Sequence, residues 1–141
     1  METIRLVIID DSATVRAMVE QVVQEDPGYH VVGVAPNVEV ARALIKSLRP
    51  DLVTLDLNMP GVSGTVFLDE LARRRDVPVV VLSSSTHDQS ELVRELRLRG
   101  ADACFDKARI LIEAARFRRV LRGVAERFRR RLLLGKTLHG R

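Results

Sequence analysis

Short apolar runs alternate along most of the chain with segments whose apolar residues recur at helical spacing. The spacing of three and four residues predicts four helices, and the short runs between them predict β-strands. A fifth and longer helix is predicted from about Ala108 to about Leu133. The strands are expected at Ile4 to Ile9, Val31 to Val34, Leu52 to Leu55, Val79 to Leu82 and Ala103 to Phe105. Five β–α units favour a doubly wound α/β fold, with one five-stranded parallel sheet and helices on both faces.

Polar residues follow four of the five predicted strands. They are Asp10 and Asp11 after the first strand, Asp56 and Asn58 after the third, Ser83 after the fourth and Lys107 after the fifth. Parallel strands joined by right-handed crossovers bring their carboxyl ends to one edge of the sheet, where such folds bind ligands. We therefore expect three carboxylates, a hydroxyl and an ammonium group at one small site.

The chemistry of this set points to phosphoryl transfer. Three neighbouring carboxylates repel one another and need a cation, and Mg²⁺ prefers oxygen ligands. With Lys107 opposite, Asp56 has the environment of a carboxylate that attacks a phosphoryl group. Each residue also has an ordinary interpretation: Asp10 and Asp11 as helix N-caps, Asp56 with Asn58 as a turn, and Ser83 as a polar loop. Their convergence from separate strands favours function.

Four motifs in this order resemble the response-regulator receiver family. They are IIDDS at 8–12, DLNMPGVSG at 56–64, PVVVLSSS at 78–85 and GADACFDK at 100–107. Their order and spacing match the family over Ile4 to Lys107, about three quarters of the chain. The chain is most similar to the receiver half of chemotaxis methylesterases, but it contains no G-x-S-x-G motif of an esterase. The resemblance implies a flavodoxin-like sheet with strand order 2-1-3-4-5.

The resemblance also implies roles for the site residues. Asp56 would accept a phosphoryl group from a histidine kinase or a phosphotransfer protein, Ser83 would be the switch hydroxyl, and Lys107 would bind the phosphoryl oxygens. The implied Mg²⁺ site consists of Asp11, Asp56 and the Asn58 carbonyl, with Asp10 acting through water. The side chains of Asn58 and Ser85 are the positions at which the family tunes dephosphorylation.

Two positions depart from the family pattern. Ala108 follows the lysine where the family usually has proline, so we expect a trans peptide bond there, since a cis bond before a non-proline residue is costly. Cys104 occupies the position of the family's switch aromatic residue, and Phe105 should face the opposite side of the sheet. Phosphorylation remains expected, whereas the usual coupling to an output is in doubt.

Composition and charge add a domain interpretation. The chain has 141 residues, 46% of them hydrophobic, which fits a single domain. One cysteine excludes an internal disulfide, and no signal peptide or membrane span is visible, so we expect a cytoplasmic protein.

Residues 1–107 carry 12 Lys and Arg against 17 Asp and Glu, a net charge of −5. Residues 108–141 carry 11 against 2, a net charge of +9. We interpret 1–107 as the receiver core and 108–141 as a basic last helix of the same domain with a short tail.

The predicted last helix is longer than the sheet beneath it. A helix of about 25 residues spans roughly 37 Å, against about 17–20 Å for a strand of 5–6 residues. We therefore expect Val124, Phe128 and Leu132 to Leu134 to project beyond the sheet. The projection would support a homodimer or the docking of an acidic protein, whereas nucleic-acid or membrane contact is disfavoured.

Three functions stay open at this point. The first is a receiver that catalyses only its own phosphotransfer and dephosphorylation. The second is a haloacid-dehalogenase-type phosphohydrolase, which also uses an aspartyl nucleophile with magnesium. That class resembles D-x-D at the nucleophile, whereas here Asp56 is followed by Asn58. A receiver that works mainly as a phosphate sink, or as a dimerising adaptor, is the third.

Overall fold

The computed structural model describes residues 3–59, 61, 63–84 and 89–139. Every predicted strand and helix is present in the predicted order. The elements are β1 (Ile4–Ile9), α1 (Ala13–Gln24), β2 (Tyr29–Ala35), α2 (Val38–Leu48), β3 (Leu52–Asp56), α3 (Gly64–Arg74), β4 (Val79–Ser83), α4 (Gln89–Leu98), β5 (Ala103–Asp106) and α5 (Ala114–His139). Within these described ranges, no helix is long and apolar enough to cross a lipid bilayer.

The five strands form one parallel sheet in the order β2-β1-β3-β4-β5, which confirms the expected topology. Alternate residues of each strand point to opposite faces, so the sheet builds two apolar layers. On one face Ile4 and Leu6 pack with α1 and α5, and on the other Val7 and Ile9 pack with α2 and α3. The strands β3 and β4 are buried at every residue, as a sheet covered on both faces requires.

Two aspartates extend the sheet at its amino edge. Asp51 precedes β3: its amide donates to the Arg5 carbonyl at 2.8 Å, and its Oδ2 accepts from the Arg5 amide at 2.8 Å. Asp102 precedes β5 and makes the same two bonds with Val79, at 2.9 and 2.8 Å. Each carboxylate therefore takes the place of a strand carbonyl and pairs a backbone amide at the start of a neighbouring strand.

The last helix begins at Ala114 and not near Ala108 as predicted. The Asp106 side chain accepts a hydrogen bond from the Ala108 amide at 2.9 Å and caps a short 3₁₀ turn over Lys107–Arg109. The residues that follow the turn include Leu111 and Ile112, which are 58% and 79% exposed. The apolar periodicity of the sequence continued through this turn, because Ile110 is buried against the same face as α5.

The prediction that Val124 projects beyond the sheet is wrong. Val124 is 1% exposed and belongs to the same core as Phe117 and Leu121. Phe128 is half-buried, and the leucines at 132, 133 and 134 are exposed by 50%, 59% and 62%. The same core includes residues of α1 and Tyr29 at the start of β2, so α5 packs along α1 as well as the sheet, and its contact is longer than strand length alone implies.

Arginines of α5 hold its second half against the amino edge. Arg129 donates to Asp51 Oδ1 at 3.0 Å, and Arg131 donates to Asp102 Oδ1 at 3.4 Å. Each aspartate thus bonds a backbone amide with one carboxylate oxygen and an arginine with the other.

Candidate functional site

The first and third strands bring the acidic residues together at the carboxyl edge. β1 and β3 are neighbours with Ile9 opposite Leu55, so Asp10 and Asp56, the next residue on each strand, lie side by side. Carboxylate oxygens of Asp10, Asp11 and Asp56 lie within 4.8 Å of one another. Asp10 and Asp56 are buried, whereas Asp11 is exposed at the mouth of the site. The predicted acidic cluster is therefore present.

Backbone amides fix the two buried carboxylates. Asp10 Oδ1 accepts from the Ser12 amide at 2.9 Å, and Asp56 Oδ1 accepts from the Asn58 amide at 3.0 Å. Ser12 is the N-cap of α1, since its hydroxyl accepts from the Val15 amide at 3.2 Å. The alternative in which an aspartate caps this helix is therefore wrong, and the carboxylate oxygens of Asp10 are directed to the site.

Lys107 supplies the positive charge at this edge. Its Nζ lies 2.8 Å from Asp56 Oδ1 and 3.4 Å from Asp10 Oδ2. Burial lowers the pKa of Lys107, but the hydrogen bond to Asp56 and the charges of Asp10 and Asp56 outweigh it and raise that pKa. The lysine is thus held as an ammonium group between two buried carboxylates.

Among the described residues, the three carboxylates of this cluster still outnumber the cations beside it, which are Lys107 and the Arg16 guanidinium at the Asp10 carbonyl. Burial raises the pKa of Asp10 and the Asp56 charge adds to this, while the Ser12 amide and Lys107 act in the opposite direction. Asp10 Oδ2 is fully buried and accepts no hydrogen bond from the described residues. Its ion pair with Lys107 at 3.4 Å is shared with Asp56, and a water held by a divalent cation with oxygen ligands would give this oxygen a hydrogen-bond donor.

Ser83 and Asn58 sit at the same edge. Ser83 ends β4, lies opposite Asp106 in the strand register and is 4% exposed. Asn58 is exposed, and its amide contacts Asp56 as described above. Ser85 lies outside the described residues.

Two residues that support the site were not identified from the sequence. The Arg16 guanidinium donates to the Asp10 carbonyl at 2.7 Å and braces the end of β1 against α1. Gly64 begins α3, and a Cβ there would lie 2.5 Å from the Leu57 Cα, so only glycine lets α3 approach the loop after Asp56. The DLNMPGVSG motif contains Gly64, but no pattern in the sequence marks Arg16.

The two departures from the family pattern have clear structural consequences. The peptide bond between Lys107 and Ala108 is trans, as expected. Phe105 is buried on the face that packs against α5, with its ring 5.0 Å from Phe117, whereas Cys104 is half-buried on the opposite face. Cys104 and Phe105 therefore face opposite layers, as predicted, and the aromatic contact of β5 is with α5.

The fold and the site define a doubly wound α/β domain with a cluster of carboxylates at the carboxyl ends of its strands. The family model described as "Response regulator receiver domain" matches residues 6–114, more than three quarters of the chain. The chain belongs to the response regulator receiver family.

Among curated proteins the chain is similar to enzymes named protein-glutamate methylesterase/protein-glutamine glutaminase. It is 41% identical over 110 residues to the protein of Methylobacillus flagellatus, covering 78% of this chain and 31% of that protein. It is 44% identical over 100 residues to that of Thiobacillus denitrificans, covering 70% and 28%. The chain thus spans less than a third of the length of these relatives.

Solved receiver structures share the fold. The response regulator domain of Thermotoga maritima CheB has a TM-score of 0.78 at 23% identity, with 89% of this chain and 98% of that chain covered. A signal receiver domain of a Luxo repressor protein from Vibrio parahaemolyticus has a TM-score of 0.79 at 23% identity, with 94% and 97% covered.

Proposed function

We propose that the chain is a phosphoacceptor switch in which Asp56 receives a phosphoryl group from a histidine kinase or a phosphotransfer protein. One observation carries the proposal: the buried Asp56 carboxylate lies 2.8 Å from Lys107 Nζ, inside a cluster with Asp10 and Asp11. Family membership supports the same reaction. A haloacid-dehalogenase-type hydrolase is disfavoured, because the family match covers both Asp56 and Lys107.

The proposed Mg²⁺ site uses the oxygen donors that surround Asp56. Asp11, Asp56 and the Asn58 carbonyl would bind the ion directly, and Asp10 would act through water. The fit rests on the buried Asp10 Oδ2 that accepts no hydrogen bond from the described residues and on the excess of carboxylates. When bound, the ion supplies positive charge that offsets the repulsion between the carboxylates and an incoming phosphoryl group.

In the proposed reaction a carboxylate oxygen of Asp56 attacks the phosphorus of a phosphohistidine. The O–P bond forms as the P–N bond breaks, and the leaving imidazole nitrogen keeps the electron pair. Lys107 then hydrogen-bonds a phosphoryl oxygen, and the Ser83 hydroxyl donates to another. We propose that the chain itself catalyses only this transfer and the later hydrolysis; the activity in the names of its relatives is stated of those proteins, of which the chain spans less than a third.

Incubation of the chain with acetyl phosphate and Mg²⁺, followed by intact mass measurement, tests the proposal. We expect the gain of one phosphoryl group, lost in Asp56→Asn and on chelation of the metal. Asp106→Asn is the matched control, since Asp106 lies at the same edge and caps a turn. This variant should still gain one phosphoryl group at Asp56. Phosphorylation of Asp56→Asn, or sustained turnover of phosphoesters, would contradict the proposal.

We also propose that residues 1–107 and the basic last helix of 108–141 act as one domain. Support comes from the shared core of Phe117 and Leu121 with Ile4 and Leu6. Reversible urea unfolding should give a single transition, with the same midpoint whether it is followed by the fluorescence of a label on α5 or by far-UV circular dichroism of the whole chain. Two separate transitions would contradict a single domain.

The exposed end of α5 is the proposed partner surface. Leu132, Leu133 and Leu134 are exposed beside Arg130, which favours an acidic protein partner over a homodimer, because two copies of one basic surface repel. Light scattering of the full chain and of Leu133→Ser/Leu134→Ser would test the homodimer alternative. A dimer of the parent chain that the variant loses would contradict the preference for a different partner.

A further inference from the structure

A cavity of about 570 Å³ lies at the amino edge of the sheet, opposite the acidic site. Helices α2, α3 and α5 form its walls, and the turns before β3 and β4 contribute Pro50 and Val77. Small-molecule sites commonly have volumes of about 300–1,000 Å³. The volume is therefore sufficient for a ligand, and neither the carboxylates nor Lys107 of the phosphoacceptor site line it.

Part of the inner surface of this cavity is apolar. Leu71, Val77 and Ala125 are at most 5% exposed, and the half-buried ring of Phe128 forms part of the wall. Ala125 and Phe128 belong to α5, beyond residue 114 where the family match ends. The second half of α5 thus forms one wall of the cavity.

Acidic groups around the cavity have basic partners. Arg42 makes two hydrogen bonds of 2.8 Å to the Glu70 carboxylate, and Arg129 lies 3.0 Å from Asp51. Arg74 lies 3.6 Å from Asp76. These are the three acids that line the cavity, and each is matched by one arginine.

Two further cations line the cavity without such a partner. Lys46 and Arg49, at the end of α2, form no ion pair within the part of the chain that the structure describes. Five basic and three acidic side chains therefore leave a net charge of +2 around the apolar surface. An anion that binds there would meet cations that are not already engaged.

We propose that this cavity binds an amphipathic small anion, with an apolar body against Phe128 and Leu71 and a carboxylate or phosphate group beside Lys46 and Arg49. A purely polar anion would leave the apolar wall exposed to water. An uncharged apolar molecule would leave the excess of positive charge unpaired. The combination of both surfaces therefore defines the ligand class.

The cations have one ordinary role that the experiment must separate from binding. Lys46 lies in the last turn of α2, and Arg49 is its C-cap, with a left-handed backbone at φ 47°. Basic side chains near a helix C-terminus stabilise the helix by their interaction with its dipole. That role predicts a change in stability on substitution but no effect on the affinity for an anion.

Titration of the full chain with decanoate, followed by ¹H–¹⁵N NMR, tests the proposal. We expect saturable shifts centred on α2, α3 and the second half of α5. Acetate has the charge without the apolar chain, and decanol has the chain without the charge; each should bind at least about tenfold more weakly. No saturable shift with decanoate, or equal affinity for decanol, would overturn the proposal.

The variant Lys46→Gln/Arg49→Asn should weaken decanoate binding by about tenfold while the chain stays folded, because asparagine tolerates the left-handed backbone. Arg73→Gln removes an exposed charge of α3 that does not line the cavity, and it should leave the affinity unchanged. Equal affinity of the double variant and the parent chain would show that the two cations serve the helix alone, and would overturn the proposal.

The same anionic chemistry occurs in free acyl or aryl anions and in lipid headgroups. Sedimentation with phosphatidylglycerol vesicles separates these sources. Vesicle binding that the double variant loses identifies a lipid headgroup, whereas decanoate binding without vesicle binding identifies a free anion. Vesicle binding that is equal in both chains, with no decanoate binding, would overturn the cavity as the site.

Discussion

The acidic residues at the two edges of the sheet have opposite surroundings. At the carboxyl edge, three carboxylates share one ammonium group, and Asp10 Oδ2 accepts no hydrogen bond from the described residues. At the amino edge, Asp51 and Asp102 each pair a backbone amide with one oxygen and an arginine with the other. The acids at the amino edge are therefore paired within the fold, whereas those at the carboxyl edge keep an excess of negative charge, which is what the proposed phosphoacceptor function requires.

The largest change in stability is expected from Asp102→Ala at the amino edge. The substitution leaves the buried Val79 amide without its acceptor and frees Arg131, so unfolding should become easier by about 1–3 kcal/mol. Urea denaturation monitored by circular dichroism measures this, and Asp102→Asn should recover most of the loss. Phosphorylation by acetyl phosphate should persist; a loss as large as that in Asp56→Asn would contradict the separation of the two edges.

The opposite sign is expected from Asp10→Asn at the carboxyl edge. Burial and the Asp56 charge raise the Asp10 pKa, so the ionised carboxylate opposes folding at neutral pH. Asparagine keeps the acceptor for the Ser12 amide, and stability in metal-free buffer should rise by about 1–2 kcal/mol. Phosphorylation with Mg²⁺ should fall sharply. A variant that is less stable than the parent chain in the same urea measurement would contradict the interpretation that this edge carries an excess of negative charge.

Addition of Mg²⁺ should raise the stability of the chain through the carboxyl edge alone. At a concentration ten times its dissociation constant, Mg²⁺ should stabilise the parent chain by about 1.4 kcal/mol, because it binds only the folded state. Asp56→Asn should show a much smaller gain in thermal unfolding, and chelation should reverse the gain of the parent chain. Equal stabilisation of both chains would place the ion elsewhere.

A smaller effect is expected from Arg129→Gln. It removes the ion pair with Asp51 but leaves the bond from the Arg5 amide, so the loss should be about 0.5–1 kcal/mol. The loss should shrink in high salt, since both side chains are partly exposed. A loss equal to that in Asp102→Ala would mean that the arginine, and not the backbone amide, carries the contribution of these aspartates.

The smallest effect is expected at Glu70, whose carboxylate accepts two hydrogen bonds from the exposed Arg42 side chain. Hydrogen bonds from Arg42 outweigh partial burial and hold the Glu70 pKa below its ordinary value of 4.5. The stabilisation is therefore fully present above that pH and is lost as the pH falls through the lower folded value. Glu70→Gln should remove about 0.3–0.5 kcal/mol at neutral pH and flatten this part of the acid unfolding curve.

The prediction from sequence succeeded where periodicity and chain order contain the information. Apolar runs marked all five strands, and the carboxyl ends of parallel strands had to meet at one edge, which brought Asp10, Asp56 and Lys107 together. It was wrong for the start of α5 because Ile110 continued the apolar pattern through a 3₁₀ turn capped by Asp106. It was wrong for Val124 because α5 also packs against α1 and the start of β2, and not on the strands alone.

The sequence by itself determined the α/β alternation, the acidic edge and the basic character of α5, since each is a property of residue types in order. Only the tertiary structure decided the partners of single side chains. Arg129 reaches Asp51 across 78 positions of the chain, and the cavity beside it needs walls from three helices. Such contacts depend on how the packed helices meet the sheet, a distance that local periodicity does not encode.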